Sequence, residues 1–314
     1  MFPAFLPAAT ANLTEITSID LAKLIQRRLI SVGTSVGTIE IETSVVQCVP
    51  QESRSNAPTN APSNAPIVLL HGFDSSVFEY RRLIPALEQR SQQVWAVDLL
   101  GFGFTDRSRV VQFDPAAIKA HLYAFWQTCI GCPMVLVGAS MGGAAAIDFA
   151  LTYPEAVKQL VLLDAAGFAK GPVLAKFFIE PLGQFATDFL RQPKVRQKVS
   201  ERAYCDPSFV TADAGLCAAL HLEMPEWSRA LIAFTKSGGY GFLGDRICDI
   251  SAPTQIIWGR QDRILGTKDA LRFEKTIPKS QLTWIENCGH VPHLEKPEET
   301  AHAIVLSLSE DHPV

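Results

Sequence analysis

The sequence predicts an α/β protein with a central, mostly parallel sheet that is covered by helices on both faces. From Ile67 onward, short apolar segments alternate with helical patterns. These segments are IVLLHGF, VWAVDLLG, MVLVGAS, QLVLLDAAG, TQIIWGRQD and LTWIENCGH. Strands that are apolar throughout are typical of a parallel sheet that is buried on both sides. Helix starts also fall between the strands, at Asp114 with Pro115 and again at Pro297.

The composition indicates a globular protein and excludes some classes of partner. Hydrophobic residues make up 47% of the 314 residues and charged residues 19%, which is enough apolar material for a large core. The formal net charge of −4 is too small to predict a nucleic-acid partner. The seven cysteines are an odd, scattered set, which favours a reducing compartment, so we expect a cytoplasmic protein.

Residues 1–31 are predicted to be an N-terminal extension with one short amphipathic helix over residues 18–30. The apolar positions at helical spacing are Leu21, Leu24, Ile25 and Leu29. We expect this face to dock on the body of the protein, and the basic face opposite leaves peripheral contact with a membrane surface as an alternative. No signal peptide or transmembrane helix is predicted.

Two segments separate this extension from the first apolar strand. Residues 38–49 alternate and are rich in β-branched side chains, which predicts one or two outer strands. Residues 50–66 repeat Asn-Ala-Pro three times. The prolines remove backbone donors and the segment has nothing to bury, so we predict a flexible loop.

The alternation of strands and helices is interrupted between residues 167 and 246. This stretch looks helical, and the strand pattern resumes at TQIIWGRQD. We therefore predict one core, formed by residues 32–166 and 247–314, with residues 167–246 inserted as a helical cap. Large apolar side chains crowd one part of the cap and favour an apolar substrate moiety. They are Phe177, Phe178, Ile179, Leu182, Phe185, Phe189 and Leu190.

Ser140 is the candidate nucleophile. It lies in Gly-Ala-Ser-Met-Gly, directly after the strand segment MVLV and directly before the helical pattern AAAIDFAL. A sharp turn from strand to helix exposes such a serine and requires small residues two positions before and after it, here Gly138 and Gly142. The pattern is common by chance, and the strand and helix around it are what make it specific.

A serine hydroxyl needs a base, and the base needs a carboxylate that fixes its tautomer. Asp262 follows the segment TQIIWGRQ, and His290 follows LTWIENCG, so both lie just past strands. Asp164, at the end of QLVLLD, is a rival for the acid, and His293 is a rival for the base. We favour Asp262 and His290, and we expect His293 to stabilise its loop.

Backbone N–H groups must stabilise the oxyanion that develops on the substrate. The expected donors are Met141, which follows the nucleophile, and Phe73, in the loop after IVLL. His71 is expected to hold that loop by hydrogen bonds. No cofactor or metal is predicted, because GFGFTD at 101–106 lacks a third glycine and is interpreted as a turn, and the histidines lack metal-ligand spacing.

With HGFDSS, DLLGFGFTD, GASMGG, GRQD and GHVPHLEKP in this order, the chain resembles the α/β-hydrolase superfamily from about Ile39 to its C-terminus. The resemblance implies an eight-stranded, mostly parallel sheet with a helical cap, no cofactor, and hydrolysis of an ester or related bond. It implies a triad and two oxyanion donors, namely Ser140, Asp262 and His290 with Phe73 and Met141. HGFDSSVFEYRRLIPAL and SGGYG also look similar to uncharacterised hydrolases of cyanobacteria and plastids.

These features together predict a serine hydrolase that cleaves a carboxylic ester or related acyl bond, with an apolar moiety, in a small-molecule substrate. The serine makes the chain unlike haloalkane dehalogenases and soluble epoxide hydrolases of this fold, which use an aspartate there. Carbon–carbon bond hydrolases, thioesterases and lyases share the serine triad. A non-catalytic ligand-binding protein of the same fold can also keep it, so these alternatives stay open.

Overall fold

The computed structural model describes residues 1–34, 37–49, 65–90, 92–110, 112–168 and 182–309. Apart from residues 65 and 66, the predicted Asn-Ala-Pro loop lies outside the described residues. The strands are β1 Gln26–Thr34, β2 Gly37–Cys48, β3 Ile67–Leu70, β4 Val94–Val97, β5 Met134–Ala139, β6 Val157–Leu163, β7 Thr254–Gly259 and β8 Ser280–Ile285. The helices are α1 Ile16–Leu24, α2 Leu83–Glu88, α3 Pro115–Phe125, α4 Met141–Thr152, α5 Leu182–Arg191, α6 Pro193–Ala203, α7 Ala212–Cys217, α8 Trp227–Lys236, α9 Lys268–Thr276, α10 Pro292–Glu295 and α11 Pro297–Ser309.

The strands form one sheet in the order β1-β2-β4-β3-β5-β6-β7-β8. The hairpin β1–β2 is antiparallel and joins β4 antiparallel, whereas β4, β3, β5, β6, β7 and β8 are all parallel. The predicted mostly parallel, eight-stranded sheet is confirmed. Because parallel strands end at the same edge, the loops after β3, β5, β6, β7 and β8 gather there.

Apolar side chains cover both faces of the sheet. In β3, Val68 and Leu70 belong to one buried cluster and Ile67 and Leu69 to the other, because successive side chains point to opposite faces. Side chains of α3, α4 and α9 pack in the first cluster, and those of α1, α2 and α11 pack in the second. This burial on both sides explains why the strand segments are apolar throughout.

A helix cap and a turn that the sequence predicted are present in the core. Asp114 caps α3, and its Oδ1 accepts the N–H of Ala117 at 2.8 Å. Residues 101–106 form a turn in which Gly103 has a φ of 53°, and a Cβ there would lie 2.0 Å from Cγ of Asp98. Only glycine fits at that point, so the interpretation of GFGFTD as a turn is confirmed.

The predicted helix over residues 18–30 is wrong in its second half. The helix α1 ends at Leu24, and β1 begins two residues later and pairs with β2. Leu21 and Ile25 are buried as expected, whereas Leu24 and Leu29 are exposed.

The reason for this error is a change of period at the start of β1. Ile30 and Val32 are buried while Ser31 between them is exposed, which is the two-residue period of a strand. Backbone pairing with β2 satisfies the N–H and C=O groups that a longer helix would have satisfied internally. Residues 26–31 therefore belong to the sheet and not to an N-terminal extension.

The helix α1 is attached to the region between β6 and β7. Asp213 on α7 accepts the Glu15 N–H at 2.9 Å and the Ser18 hydroxyl at 2.6 Å. These bonds satisfy donors at the start of α1, where a helix has no internal acceptors. The N-terminal helix is thus fixed to α7.

Between β6 and β7, the described residues 182–246 form α5 to α8 and contain no strand. We refer to residues 182–246 as the cap. Among the predicted apolar cap residues, Phe185 and Phe189 are 66% and 57% exposed, and Phe177, Phe178 and Ile179 lie outside the described residues. None of the helices that the structure describes is long and apolar enough to cross a membrane.

Candidate active site

Ser140 lies at the turn between β5 and α4. Its backbone has φ 51° and ψ −119°, a strained conformation that places the residue at the tip of a sharp turn. Small neighbours are necessary, because a Cβ at Gly138 would lie 2.3 Å from the Gly142 carbonyl oxygen and a Cβ at Gly142 would lie 2.1 Å from that of Leu70. The Ser140 N–H donates to the Leu163 carbonyl at 3.0 Å, which fixes the turn to the end of β6.

His290 and Asp262 contact each other at the same edge of the sheet. His290 Nδ1 is 2.9 Å from Asp262 Oδ2, and both residues are buried. Asp262 Oδ1 accepts the N–H groups of Ile264 and Leu265 at 2.7 and 3.1 Å. Burial opposes the ionisation of Asp262, but the hydrogen bond and charge of His290, together with these N–H groups, hold the pKa of Asp262 below its ordinary value. An ionised Asp262 places the proton of a neutral His290 on Nδ1 and leaves Nε2 as the basic nitrogen.

Ser140 and His290 line the same cavity, which has a volume of about 280 Å³. The loop after β3 comprises residues 71–76, and Phe73 in this loop forms part of the cavity wall. The cap closes another side through α6 and α7, for example with Val199 and Cys217. The cavity therefore brings the candidate nucleophile and base together under the cap.

His71 orients the peptide that carries the Phe73 N–H. The Leu99 N–H donates to His71 Nε2 at 3.1 Å, so the proton of His71 lies on Nδ1, which donates to the Gly72 carbonyl at 2.8 Å. In a trans peptide the N–H points away from the C=O, so this bond sets the direction of the Phe73 N–H. The expectation that His71 holds the loop by hydrogen bonds is confirmed.

The two predicted oxyanion donors lie close to Ser140. Met141 is the first residue of α4, and a Cβ on Gly72, directly before Phe73, would lie 3.4 Å from Ser140 Cβ. Within the part of the chain that the structure describes, no acceptor is bonded to the N–H of Phe73 or Met141. Both N–H groups can therefore donate to a bound substrate.

Asp164, the rival acid, lies beside Asp262. Oxygens of both carboxyl groups and a nitrogen of His290 lie within 4.8 Å of one another. Burial, and then the negative charge of Asp262, raise the pKa of Asp164 well above its ordinary value, although Asp164 accepts the Gly259 N–H at 3.0 Å. Burial and the neighbouring charge therefore disfavour the ionised form of Asp164 and leave Asp262 as the stronger acid. This spacing would also suit a metal ion, but the raised pKa of Asp164 and the bonded His290–Asp262 pair fit a triad better.

His293, the rival base, is bonded to Glu79. His293 Nε2 is 3.1 Å from Glu79 Oε1, and Glu79 Oε2 accepts the Gly72 N–H at 2.8 Å. Burial opposes the ionisation of Glu79, but the hydrogen bond and charge of His293, with smaller effects of His71 and Gly72, lower the pKa of Glu79 to about 2. His293 thus supports the 71–76 loop through Glu79.

The low pKa of Glu79 predicts a pH-dependent contribution to stability. The folded-state pKa lies below the ordinary 4.5, so the contribution is present above about pH 4.5 and is lost as the pH falls towards 2. We expect Glu79→Gln to lower the free energy of unfolding by about 3 kcal/mol at pH 7, and by less than half of that amount at pH 3. Urea unfolding at both pH values measures the difference.

Glu42→Gln is the matched control for this comparison. Glu42 is an exposed glutamate paired with Arg27 at 2.7 Å, and exposed pairs contribute less than about 1 kcal/mol. An equal loss of stability for Glu79→Gln at pH 7 and pH 3 would contradict the prediction.

Sequence reasoning missed Glu295, which links the His290 loop to the cap. Glu295 Oε2 accepts the N–H groups of Gly289 and Cys205 at 2.7 and 3.1 Å, and Oε1 accepts that of Asp206 at 2.6 Å. Sequence reasoning also missed Glu79. Both residues stand inside quoted motifs, but the partners that link them to other segments are distant in sequence, namely Cys205 and Asp206 for Glu295 and His293 for Glu79. No local pattern therefore indicated these contacts.

A serine on a strand-to-helix turn, with a histidine and an aspartate on later loops of a mostly parallel sheet, places the protein in the class of α/β-fold hydrolases. The chain belongs to the alpha/beta hydrolase family, whose model matches residues 67–303. The predicted resemblance to this superfamily is therefore confirmed.

The names of similar proteins do not point to one activity. The chain is similar to the alpha/beta hydrolase domain-containing protein VTE7 of Arabidopsis thaliana, with 31% identity over 96% of this chain and 89% of that protein. It is 29% identical to a 2-hydroxy-6-oxo-2,4-heptadienoate hydrolase of Pseudomonas putida, over 73% of this chain and 84% of that protein. Human monoacylglycerol lipase ABHD6 is 25% identical over 78% of this chain and 76% of that protein.

A solved structure supports the fold. The thermophilic esterase of Thermogutta terrifontis superposes with a TM-score of 0.71 and 22% identity, covering 92% of this chain and all of the other chain. At this identity the likeness concerns the fold alone.

Proposed function

We propose that this protein is a serine hydrolase that cleaves a carboxylic ester, or a related acyl bond, through an acyl-enzyme on Ser140. The observation that carries this proposal is that Ser140 and His290 line one cavity, while Asp262 bonds to His290 Nδ1, the ring nitrogen opposite the basic Nε2. A serine and a histidine that line one cavity, with a carboxylate bonded to the histidine, support acyl transfer by this mechanism.

The proposed reaction has two steps. His290 Nε2 takes the proton of the Ser140 hydroxyl as its oxygen attacks the ester carbonyl carbon, and the N–H groups of Phe73 and Met141 stabilise the oxyanion. The intermediate collapses, and the alcohol leaves with the proton from His290. Water, deprotonated by His290, then attacks the acyl carbon of the acyl-enzyme. The second intermediate collapses, the bond to the Ser140 oxygen breaks, and His290 returns the proton to that oxygen as the carboxylic acid leaves.

Apolar side chains in the cavity support an apolar substrate moiety. Phe78, Val199, Ile264 and Leu294 line it, whereas the exposed Phe185 of α5 does not. The apolar side chains that support this substrate moiety are therefore those of the cavity wall, and not the exposed Phe185 and Phe189 of α5.

We expect kcat/KM for p-nitrophenyl esters to rise from acetate to longer acyl chains, because each buried methylene contributes about 0.8 kcal/mol, or roughly fourfold in rate. Spectrophotometric assays of the ester series measure this slope. Val199→Thr is expected to flatten it. Val195→Thr, one helical turn earlier on α6, is the matched control, because Val195 lines an outer groove and not the cavity. A wild-type kcat/KM that does not rise with the length of the acyl chain would contradict the prediction.

A second candidate reaction is hydrolysis of a carbon–carbon bond, which the similarity to the Pseudomonas putida dienoate hydrolase favours. Incubation of the protein with 2-hydroxy-6-oxo-2,4-heptadienoate, followed by product analysis, distinguishes the two candidates. A kcat/KM for this compound well above that for every ester would favour carbon–carbon bond cleavage.

A further inference from the structure

Asp74 occupies a strained position directly after the proposed oxyanion donor Phe73. Its backbone φ is 49°, in the left-handed region that residues other than glycine rarely adopt. Aspartate and asparagine tolerate this region better than most residues. The side chain is 5% exposed, so something in the fold must hold a buried carboxylate at this turn.

Three side chains of the cap bond to the Asp74 carboxylate. Arg196 on α6 donates to Oδ2 at 2.5 Å and to the backbone carbonyl of Asp74 at 3.3 Å. His221, in the 3-10 helix Leu220–Glu223, has Nε2 at 3.1 Å from Oδ1, and Trp227 on α8 donates to Oδ1 at 2.8 Å. Three separate elements of the cap therefore meet at one residue of a core loop.

The charge at this junction is balanced locally. Burial opposes the ionisation of Asp74, but the hydrogen bond from His221 and the charge of Arg196 hold the pKa of Asp74 below its ordinary value. Arg196 also donates to the Ala218 carbonyl, which ties α6 to the segment after α7. A charged pair with this many hydrogen bonds fixes both partners in one geometry.

The 71–76 loop is thus held from two sides. On the core side, Glu79 and His71 bond to the N–H and C=O of Gly72. On the other side the cap bonds to Asp74. Phe73 lies between these two anchors, so the position of its N–H depends on the cap as well as on the core.

We propose that Asp74 is a positioning residue that couples the cap to the oxyanion hole. The hole is complete only while Arg196, His221 and Trp227 hold Asp74 in its left-handed conformation. This inference rests on the proposed function, because it takes the Phe73 N–H as an oxyanion donor. A substrate that fits under the cap without displacing it then reacts faster than one that binds equally well but displaces the cap.

The test compares Asp74→Asn with Asp213→Asn. Asparagine has nearly the size of aspartate and also tolerates the left-handed backbone conformation. It replaces one acceptor oxygen with an NH₂ donor. Asp213 is also 5% exposed and also ties the cap to another segment, the start of α1, without contacting the 71–76 loop. Asp213→Asn therefore controls for general loosening of the cap.

We expect Asp74→Asn to lower kcat by about 10- to 100-fold, somewhat less than the loss of a whole oxyanion donor, with little change in KM. The affinity for a trifluoromethyl ketone, which forms a tetrahedral adduct with Ser140, should fall by the same factor as kcat/KM. The affinity for the corresponding alcohol, which forms no adduct, should stay unchanged. Asp213→Asn should leave all three quantities near their wild-type values.

A wild-type kcat and ketone affinity in Asp74→Asn would overturn the inference, and so would equal losses in Asp213→Asn. Equal losses of ketone and alcohol affinity would show that Asp74 is merely structural. If Asp74→Asn does not fold, Trp227→Phe removes one of the donors and should lower kcat and ketone affinity together. A wild-type protein that forms no adduct would instead overturn the proposed function, and with it this inference.

Discussion

Ser140→Ala is expected to lower kcat for a p-nitrophenyl ester by about 10⁶-fold, the scale of loss when a triad nucleophile is removed. The change deletes the oxygen that forms the acyl-enzyme and leaves the cavity intact. Alanine at a φ of 51° is no more strained than serine, so we expect the fold to survive. Steady-state turnover, fluorophosphonate labelling and circular dichroism measure the three effects.

Ser200→Ala is the matched control, because Ser200 contributes a hydroxyl to the same cavity from α6. We expect this variant to keep the labelling and most of the turnover. Wild-type-like hydrolysis by Ser140→Ala would refute the acyl-enzyme scheme. A folded wild-type protein that neither turns over esters nor reacts with the probe would favour a ligand-binding protein of the same fold.

Asp262→Asn is expected to lower kcat by about 10⁴-fold. The amide cannot supply the negative charge that stabilises the imidazolium, and it can donate to His290 Nδ1, which favours the wrong tautomer of the base. The 2.9 Å contact between the two side chains makes this effect direct. Turnover of the best ester of the chain-length series measures the loss.

Asp164→Asn is the matched control for Asp262, since both carboxyl groups lie beside His290. Burial and the charge of Asp262 raise the pKa of Asp164 well above its ordinary value, which disfavours the charged form of this carboxyl group. An amide therefore replaces it with little change of charge, and we expect less than about a tenfold loss. The opposite ranking of the two variants would exchange the roles of the two acids.

Much of the candidate site could be predicted because each residue follows an apolar strand. Ser140, Asp262 and His290 lie after β5, β7 and β8, and parallel strands end at one edge of the sheet, so local patterns were enough to place them together. The same local reasoning failed at Leu29, where helical spacing extended by chance into β1. Pairing with β2 decided that segment, and a pairing partner is not a local property.

The sequence by itself determined the α/β class, the six parallel strands β3 to β8 and the three residues of the proposed triad. The tertiary structure alone decided what supports them. Asp74 meets Arg196, His221 and Trp227 across 122, 147 and 153 residues of chain, and His293 meets Glu79 across 214. Such contacts, and the raised pKa of Asp164, depend on distances that only the packed fold sets, because a hydrogen bond or a desolvation cost acts over a few ångströms of space.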